Sequence, residues 1–80
     1  MDNEKEIVKK FRITTNGKGL DDSLEFAKGK NVLCEFKYIK TYGLIRQQHE
    51  IDVTLSGKEC DVEYIKKFID LNVEISKYYV

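Results

Sequence analysis

Apolar and polar residues alternate along several stretches of this chain. Alternation is the pattern of a half-buried β-strand, because successive strand side chains point to opposite faces. In the first stretch, residues 7–15, Phe11 and Ile13 share one phase, and the Asn16-Gly17 pair that follows is typical of a turn. The sequence therefore predicts a first strand over residues 7–15 that is buried on one face.

A β-hairpin is predicted in the middle of the chain. Residues 31–41 and 45–55 both alternate, and Tyr42-Gly43 between them has the character of a turn. With a short loop at this position, the apolar faces of both strands lie on the same side of the sheet. That side is predicted to carry Val32, Cys34, Phe36, Tyr38, His49, Ile51, Val53 and Leu55.

Residues 20–28 have the signals of a short helix. Asp21, Asp22 and Ser23 are good N-cap residues, and Gly29 is a stop signal. These signals predict a helix of about two turns. If these residues are extended instead, the fold becomes a curled β-sheet with a single helix at about 57–71.

The second helix has the stronger start signal. Ser56 and Glu59 have the spacing of a capping box, in which each side chain satisfies a free backbone N–H of the other residue. Asn72 suits a left-handed cap at the other end. The buried stripe of this helix is predicted to be Tyr64, Ile65, Phe68, Ile69 and Leu71.

The end of the chain predicts a last strand that includes Val73, Ile75 and Tyr79. The element order is then β-α-β-β-α-β, which resembles the ferredoxin-like split βαβ arrangement over the whole chain, at the level of element order. The predicted fold is therefore one α+β domain over residues 1–80. It has an antiparallel sheet with the helices packed on one face.

Composition narrows the class of protein. Fourteen Lys and Arg balance fourteen Asp and Glu, whereas a dedicated binder of phosphate backbones is usually basic overall. No apolar run approaches the roughly 18 residues that a membrane span needs, and the acidic N-terminus lacks the features of a signal peptide. We expect a cytoplasmic protein with no membrane partner. Lysine outnumbers arginine twelve to two, which fits a low-GC bacterium or its mobile elements.

Candidate chemistry depends on the only histidine, His49. In the predicted register Phe36 lies opposite His49 and Cys34 opposite Ile51, which makes Cys34 and His49 diagonal neighbours. A nucleophilic dyad is conceivable there, but a reactive thiolate needs solvent and positive surroundings, and this is the core face. With Cys60 the two residues would give three zinc ligands, one fewer than a closed site has, at spacings that match no zinc motif. Both cysteines are expected to be reduced and buried, and we predict no catalytic site, metal or cofactor.

Two further motifs have structural explanations. Asn16-Gly17-Lys18-Gly19 looks like a phosphate loop but lacks the spacing that a P-loop requires. A glycine turn is the better interpretation. The paired Asp21-Asp22 is better explained by helix capping than by a metal or an acid–base pair.

Aromatic and basic residues interleave over residues 36–48, a composition that single-strand nucleic-acid platforms share. The element order and this stretch together resemble the RNA-recognition motif, whose stacking aromatics lie on the open face of the sheet. In this chain Phe11, Phe36 and Tyr38 share the core phase, so the resemblance fails at the residues that would bind RNA.

The hairpin tip is the remaining candidate surface, because apolar and aromatic residues crowd around a turn that should project from the sheet. These residues are Ile39, Tyr42, Leu44 and Ile45. They could instead pack against the end of the core, but Tyr and Arg are favoured anchors in protein interfaces. We predict a non-enzymatic protein-binding module, a regulator or inhibitor from a phage or other mobile element. Its predicted contact residues are Tyr38, Lys40, Tyr42, Arg46 and Gln48.

Two other partners follow from the same pattern. The alternative function is weak nucleic-acid binding, with affinity that falls steeply with salt. Its predicted contact residues are Lys10, Arg12, Lys37, Lys40 and Arg46. A last strand at a sheet edge could also pair with another chain and form a homodimer.

Overall fold

The computed structural model describes residues 5–43, 45 and 47–73. Those residues form β1 (Glu6–Thr15), α1 (Leu20–Gly29), β2 (Leu33–Tyr42), β3 (Gln48–Lys58) and α2 (Glu59–Asn72). The three strands make one antiparallel sheet in the spatial order β1-β3-β2. The chain is thus a small α+β domain, and because residues 20–29 are helical, the alternative with a single helix is wrong. The predicted last strand, apart from Val73, lies outside the described residues.

Both helices pack on the same face of the sheet. α1 lies against β2, and α2 crosses β3 and β1. The central strand supplies Ile51, Val53 and Leu55, which are fully buried, while Asp52 and Thr54 between them face the open side. The alternation in the sequence therefore identified the core face of the sheet correctly. The buried apolar residues are Ile13, Leu20, Ala27, Val32, Ile51, Val53, Leu55, Val62, Ile65, Ile69 and Val73.

The hairpin register differs from the prediction by four residues. Phe36 pairs with Val53 and Cys34 pairs with Leu55, so the predicted Phe36–His49 and Cys34–Ile51 pairs are wrong. A shift by an even number of residues keeps every side chain on its predicted face. β2 and β3 are joined by residues 43–47 rather than by a two-residue turn.

The ends of α1 also differ from the prediction. The N-cap residue is Gly19, so Asp21 and Asp22 lie in the first turn, where their charge favours the helix dipole. Gly29 is the last helical residue rather than a stop just beyond the helix, and a Schellman motif follows it. Asn31 adopts a left-handed conformation with φ 60°, and the N–H of Val32 donates to the Ala27 carbonyl at 2.9 Å.

The predicted capping box of α2 does not form, because Ser56 belongs to β3, where it pairs with residues on both neighbouring strands. The N-cap residue is Lys58, and the N–H of Glu59 donates to the Lys5 carbonyl at 2.8 Å. Asn72 is the last helical residue, and Val73 continues in an extended conformation, so the predicted left-handed cap is wrong.

The buried stripe of α2 agrees with the prediction at Ile65 and Ile69 but not throughout. Val62, Ile65 and Ile69 are its buried residues, whereas Tyr64 and Leu71 are exposed. Val62, which the predicted stripe lacks, lies three residues before Ile65 and therefore shares its helical face.

The two helices meet where α1 begins and α2 ends. Gly19 has φ 91°, a left-handed conformation that glycine adopts without strain. A Cβ at this position would overlap the carbonyl oxygen of Asn72. Gly19 therefore permits both the turn into α1 and the close approach of α2.

Candidate protein-binding site at the distal end of the hairpin

The distal end of the hairpin, the part that begins at the Tyr38–Ile51 pair and runs towards the turn, contains a β-bulge. Tyr38 pairs with Ile51 and Lys40 pairs with Glu50, so Ile39 is an extra residue in β2. Beyond the bulge, Lys40 lies on the open face of the sheet. In a regular strand Lys40 would instead follow the phase of Tyr38 and face the helix side.

On the helix side, the β2 strand of the distal end is left uncovered by the helices, although Ile51 of β3 is fully buried there. Tyr38 is 56% exposed although it shares the phase of the buried core. Its ring meets the ring of His49 edge-on, with 5.4 Å between centroids. A 3.0 Å hydrogen bond joins the Thr41 hydroxyl to Nδ1 of His49. His49 therefore orders the end of the sheet, as a hydrogen-bonded structural histidine does.

On the open face, one arginine links two strands. Arg12 donates to both carboxylate oxygens of Asp52, with Nε at 2.6 Å and the second nitrogen at 3.1 Å. It also donates to Glu50 at 3.1 Å, and the Tyr42 hydroxyl donates to the other oxygen of Glu50 at 2.6 Å. The Lys40 ammonium lies 5.2 Å from the centroid of the Tyr42 ring. This cluster therefore holds the Tyr42 ring against the sheet.

These contacts shift the ionisation of both carboxylates. The Tyr42 hydroxyl, followed by Arg12, holds the pKa of Glu50 below its ordinary value. Arg12 lowers the pKa of Asp52, and the two carboxylates in turn raise the pKa of Arg12. Arg12 and Asp52 are open to solvent and Glu50 is partly exposed, and ion pairs in such places contribute little to stability. Their main effect is to order the side chains.

The structure brings most of the predicted contact residues together, but on two faces. Lys40, Tyr42 and Gln48 share the open face, and Tyr38 lies on the helix side. Arg46 lies outside the described residues. Apolar exposure at the same end comes from Ile39, which is 42% exposed, and Ile45, which is 94% exposed. The predicted contact residues do not include these two, although both belong to the apolar residues predicted around the turn.

The predicted basic residues also converge. Lys10, Arg12, Lys37 and Lys40 all lie on the open face, in rows that include acidic residues of the neighbouring strands. Those acidic residues are Glu35, Glu50 and Asp52. The open face therefore presents alternating charge rather than a positive stripe, and Arg12 is engaged by two carboxylates. The sequence alone does not indicate this arginine cluster, because only the register shows that Arg12 lies opposite Asp52.

The predicted proximity of Cys34 and His49 is not observed. His49 pairs with Thr41, whereas Cys34 pairs with Leu55, six residues further along β3. Burial, with a smaller contribution from Glu35, raises the pKa of the Cys34 thiol to about 11. Cys60 is exposed near the start of α2, so its predicted burial is wrong. Within the described ranges, no three His, Cys, Asp or Glu residues group closely enough to hold a metal ion.

Comparison with known proteins gives no assignment. Neither the protein-family models, nor the curated proteins, nor the solved structures include a match for this chain. In the part of the chain that the structure describes, no helix has both the length and the apolar character to cross a membrane.

Proposed function

We propose that this protein is a small, non-enzymatic protein-binding module that contacts its partner through the distal end of the hairpin. The observation that carries the proposal is the exposure there of Tyr38, Ile39 and Ile45. Single exposed apolar residues are common on proteins, but several at one projecting end are typical of interaction sites. In keeping with its size and composition, we propose a cytoplasmic regulator or inhibitor from a phage or other mobile element.

The order of this end supports the proposal. The hydrogen bonds of Tyr42 with Glu50 and of Thr41 with His49 fix the strands on both sides of the loop. Binding costs less when side chains are held in place before the partner arrives. Tyr38 offers a large ring with few rotatable bonds, which is the kind of residue that dominates binding energy in interfaces.

We also infer a ferredoxin-like arrangement for the complete domain. β1 and β2 are joined through α1, and β3 lies between them, which is the split βαβ connection. In that arrangement the segment after α2 would pair with β1. β2 would then be left as a free edge of the sheet.

The test is to identify partners by cross-linking in the native host and to measure the affinity of each purified partner. Tyr38→Ala and Ile45→Ala are each expected to weaken binding about tenfold or more, the effect of losing an anchor residue. Val8→Ala is the matched control, since Val8 is 61% exposed at the opposite end of the sheet. Equal affinity of the wild type and both hairpin variants would contradict the assignment.

The second candidate function, weak nucleic-acid binding, is favoured by the convergence of Lys10, Arg12, Lys37 and Lys40 on one face. The carboxylates between them reduce the positive potential that a phosphate backbone would meet. Fluorescence anisotropy with single- and double-stranded oligonucleotides at low salt tests this function. Binding that falls steeply with salt supports it, and no binding at low salt removes it.

A further inference from the structure

β2 is an edge strand of the sheet that the described residues form. β2 pairs with β3 along one side, and among residues 5–43, 45 and 47–73 no strand pairs with its other side. A strand edge presents unpaired backbone N–H and C=O groups that can bind another strand. β2 has ten residues and no proline, so its backbone can donate along the whole edge.

A groove runs beside this edge, between β2 and α1, and its lining includes the charged residues Asp21, Glu35 and Lys37. Its volume is about 590 Å³. The apolar residues in its lining are Leu20, Leu24, Cys34, Phe36 and Tyr38. In a strand added next to β2, alternate side chains would point towards this groove, as in proteins that bind partners by strand addition. The edge and the groove together form a site for an extended segment.

The charges on β2 identify the segment that fits. Glu35 and Lys37 lie on the open face on either side of Phe36, and neither forms an ion pair with another described residue. If two copies of β2 pair in antiparallel orientation with Phe36 opposite Phe36, Glu35 of each copy lies opposite Lys37 of the other. Opposite charges in directly paired positions stabilise a sheet.

Only this register matches the charges. Side chains that pair across two strands must lie on the same face of the sheet. The two nearest alternative registers therefore change the sum of the two paired residue numbers by two, upwards or downwards. One places Glu35 opposite Glu35, and the other places Lys37 opposite Lys37. Like charges in paired positions are destabilising, so β2 selects a single register with itself.

We propose that two copies of this chain associate edge to edge through β2, antiparallel about a two-fold axis at Phe36. Cys34 of one copy then lies opposite Tyr38 of the other on the helix side, and the two grooves join across the axis. Such an interface is isologous, because each copy presents the same patch. The bulge at Ile39 confines regular pairing to residues 34–38. Because this regular pairing is short, we expect the dimer to be weak and to form only as the protein concentration rises.

The test is a charge exchange measured by sedimentation equilibrium at low salt. Wild type is expected to form a dimer as its concentration rises. Glu35→Lys and Lys37→Glu each turn two attractive pairs into repulsive ones and should weaken self-association about tenfold or more. An equimolar mixture of these two variants should form a heterodimer, and the double variant Glu35→Lys/Lys37→Glu should recover the dimer.

Glu35 and Lys37 are exposed, so these variants leave the core intact, and circular dichroism checks that they fold. A wild type that stays monomeric into the millimolar range would overturn the proposal. So would a dimer that is insensitive to the single changes, or a mixture without heterodimer. The outcome is separate from that of the proposed function, because Glu35 and Lys37 lie outside the distal end.

Discussion

The two ends of the hairpin have the same alternating pattern of side chains but differ in how far those side chains are buried. At the proximal end, the pairs that hold Phe36 and Cys34 place Val53 and Leu55 in the core. At the distal end, Tyr38 occupies the same phase but is more than half exposed, because the helices do not cover it. The comparison teaches that alternation determines the face of a side chain, while the helices determine whether that face is buried.

The two ends also differ in regularity. β2 pairs with β3 without interruption from Leu33 to Tyr38, and the bulge follows at Ile39. A bulge within the buried part would reverse the faces of core side chains, whereas at the distal end it moves Lys40 and Tyr42 onto the open face. The proximal end is thus the regular part of the hairpin, and the proposed binding site lies at the irregular distal end.

Single-residue deletions should separate the two ends most strongly. Deleting Thr54 from the proximal part of β3 forces Val53 or Leu55 out of the core in the pairing with β1 and in the pairing with β2. We expect the free energy of unfolding to fall by more than about 4 kcal/mol. Deleting Ile39 removes the bulge and leaves a regular ladder that keeps all observed pairs. We expect the free energy of unfolding to change by no more than about 1 kcal/mol. Urea unfolding gives both values, and similar losses would refute the distinction between the ends.

Side-chain truncation should give the next largest difference. Leu55→Ala removes a fully buried side chain at the proximal end, and we expect it to lower the free energy of unfolding by about 2 to 5 kcal/mol. Tyr38→Ala at the distal end should lower it by less than about 1 kcal/mol. Chemical denaturation measures both, and a Tyr38→Ala loss as large as that of Leu55→Ala would show that the distal end belongs to the core.

A smaller effect should appear in the ionisation of the distal end. Tyr42→Phe removes the main group that lowers the pKa of Glu50, so the pKa of this carboxyl should rise towards its ordinary value in an NMR titration. Folding lowers this pKa, so ionised Glu50 stabilises the fold at any pH above its pKa in the unfolded state. That stabilisation is lost as the pH falls through its pKa in the folded state. The variant should therefore lose less stability than wild type on acidification. An unchanged Glu50 pKa would contradict the role of the Tyr42 hydroxyl.

Much of the fold could be predicted because alternation specifies faces. The first strand, the hairpin strands and the core row of β3 follow directly from that pattern. Register could not be predicted, since a shift of four residues satisfies the same alternation. The observed register pairs β2 with the same part of β3 that pairs with β1, so the sheet is continuous across Ile51, Val53 and Leu55.

Local motifs were less reliable where tertiary pairing competed with them. Ser56 and Glu59 match a capping box, but Ser56 is held in the sheet between Val8 and Leu33. The candidate site was predicted in part for a similar reason. The sequence identified the residues around the turn, but only the bulge decides which of them face the open side.

The central position of β3 also affects the order in which the chain can fold. Tyr42 and Gln48, the closest partners in the hairpin, are six residues apart, whereas Thr15 and His49 of β1 and β3 are 34 apart. Closing a longer loop costs more entropy, so we expect the hairpin to form before β1 docks. During synthesis β1 leaves the ribosome first, but it can pair only after β3, its neighbour in the sheet, has been synthesised.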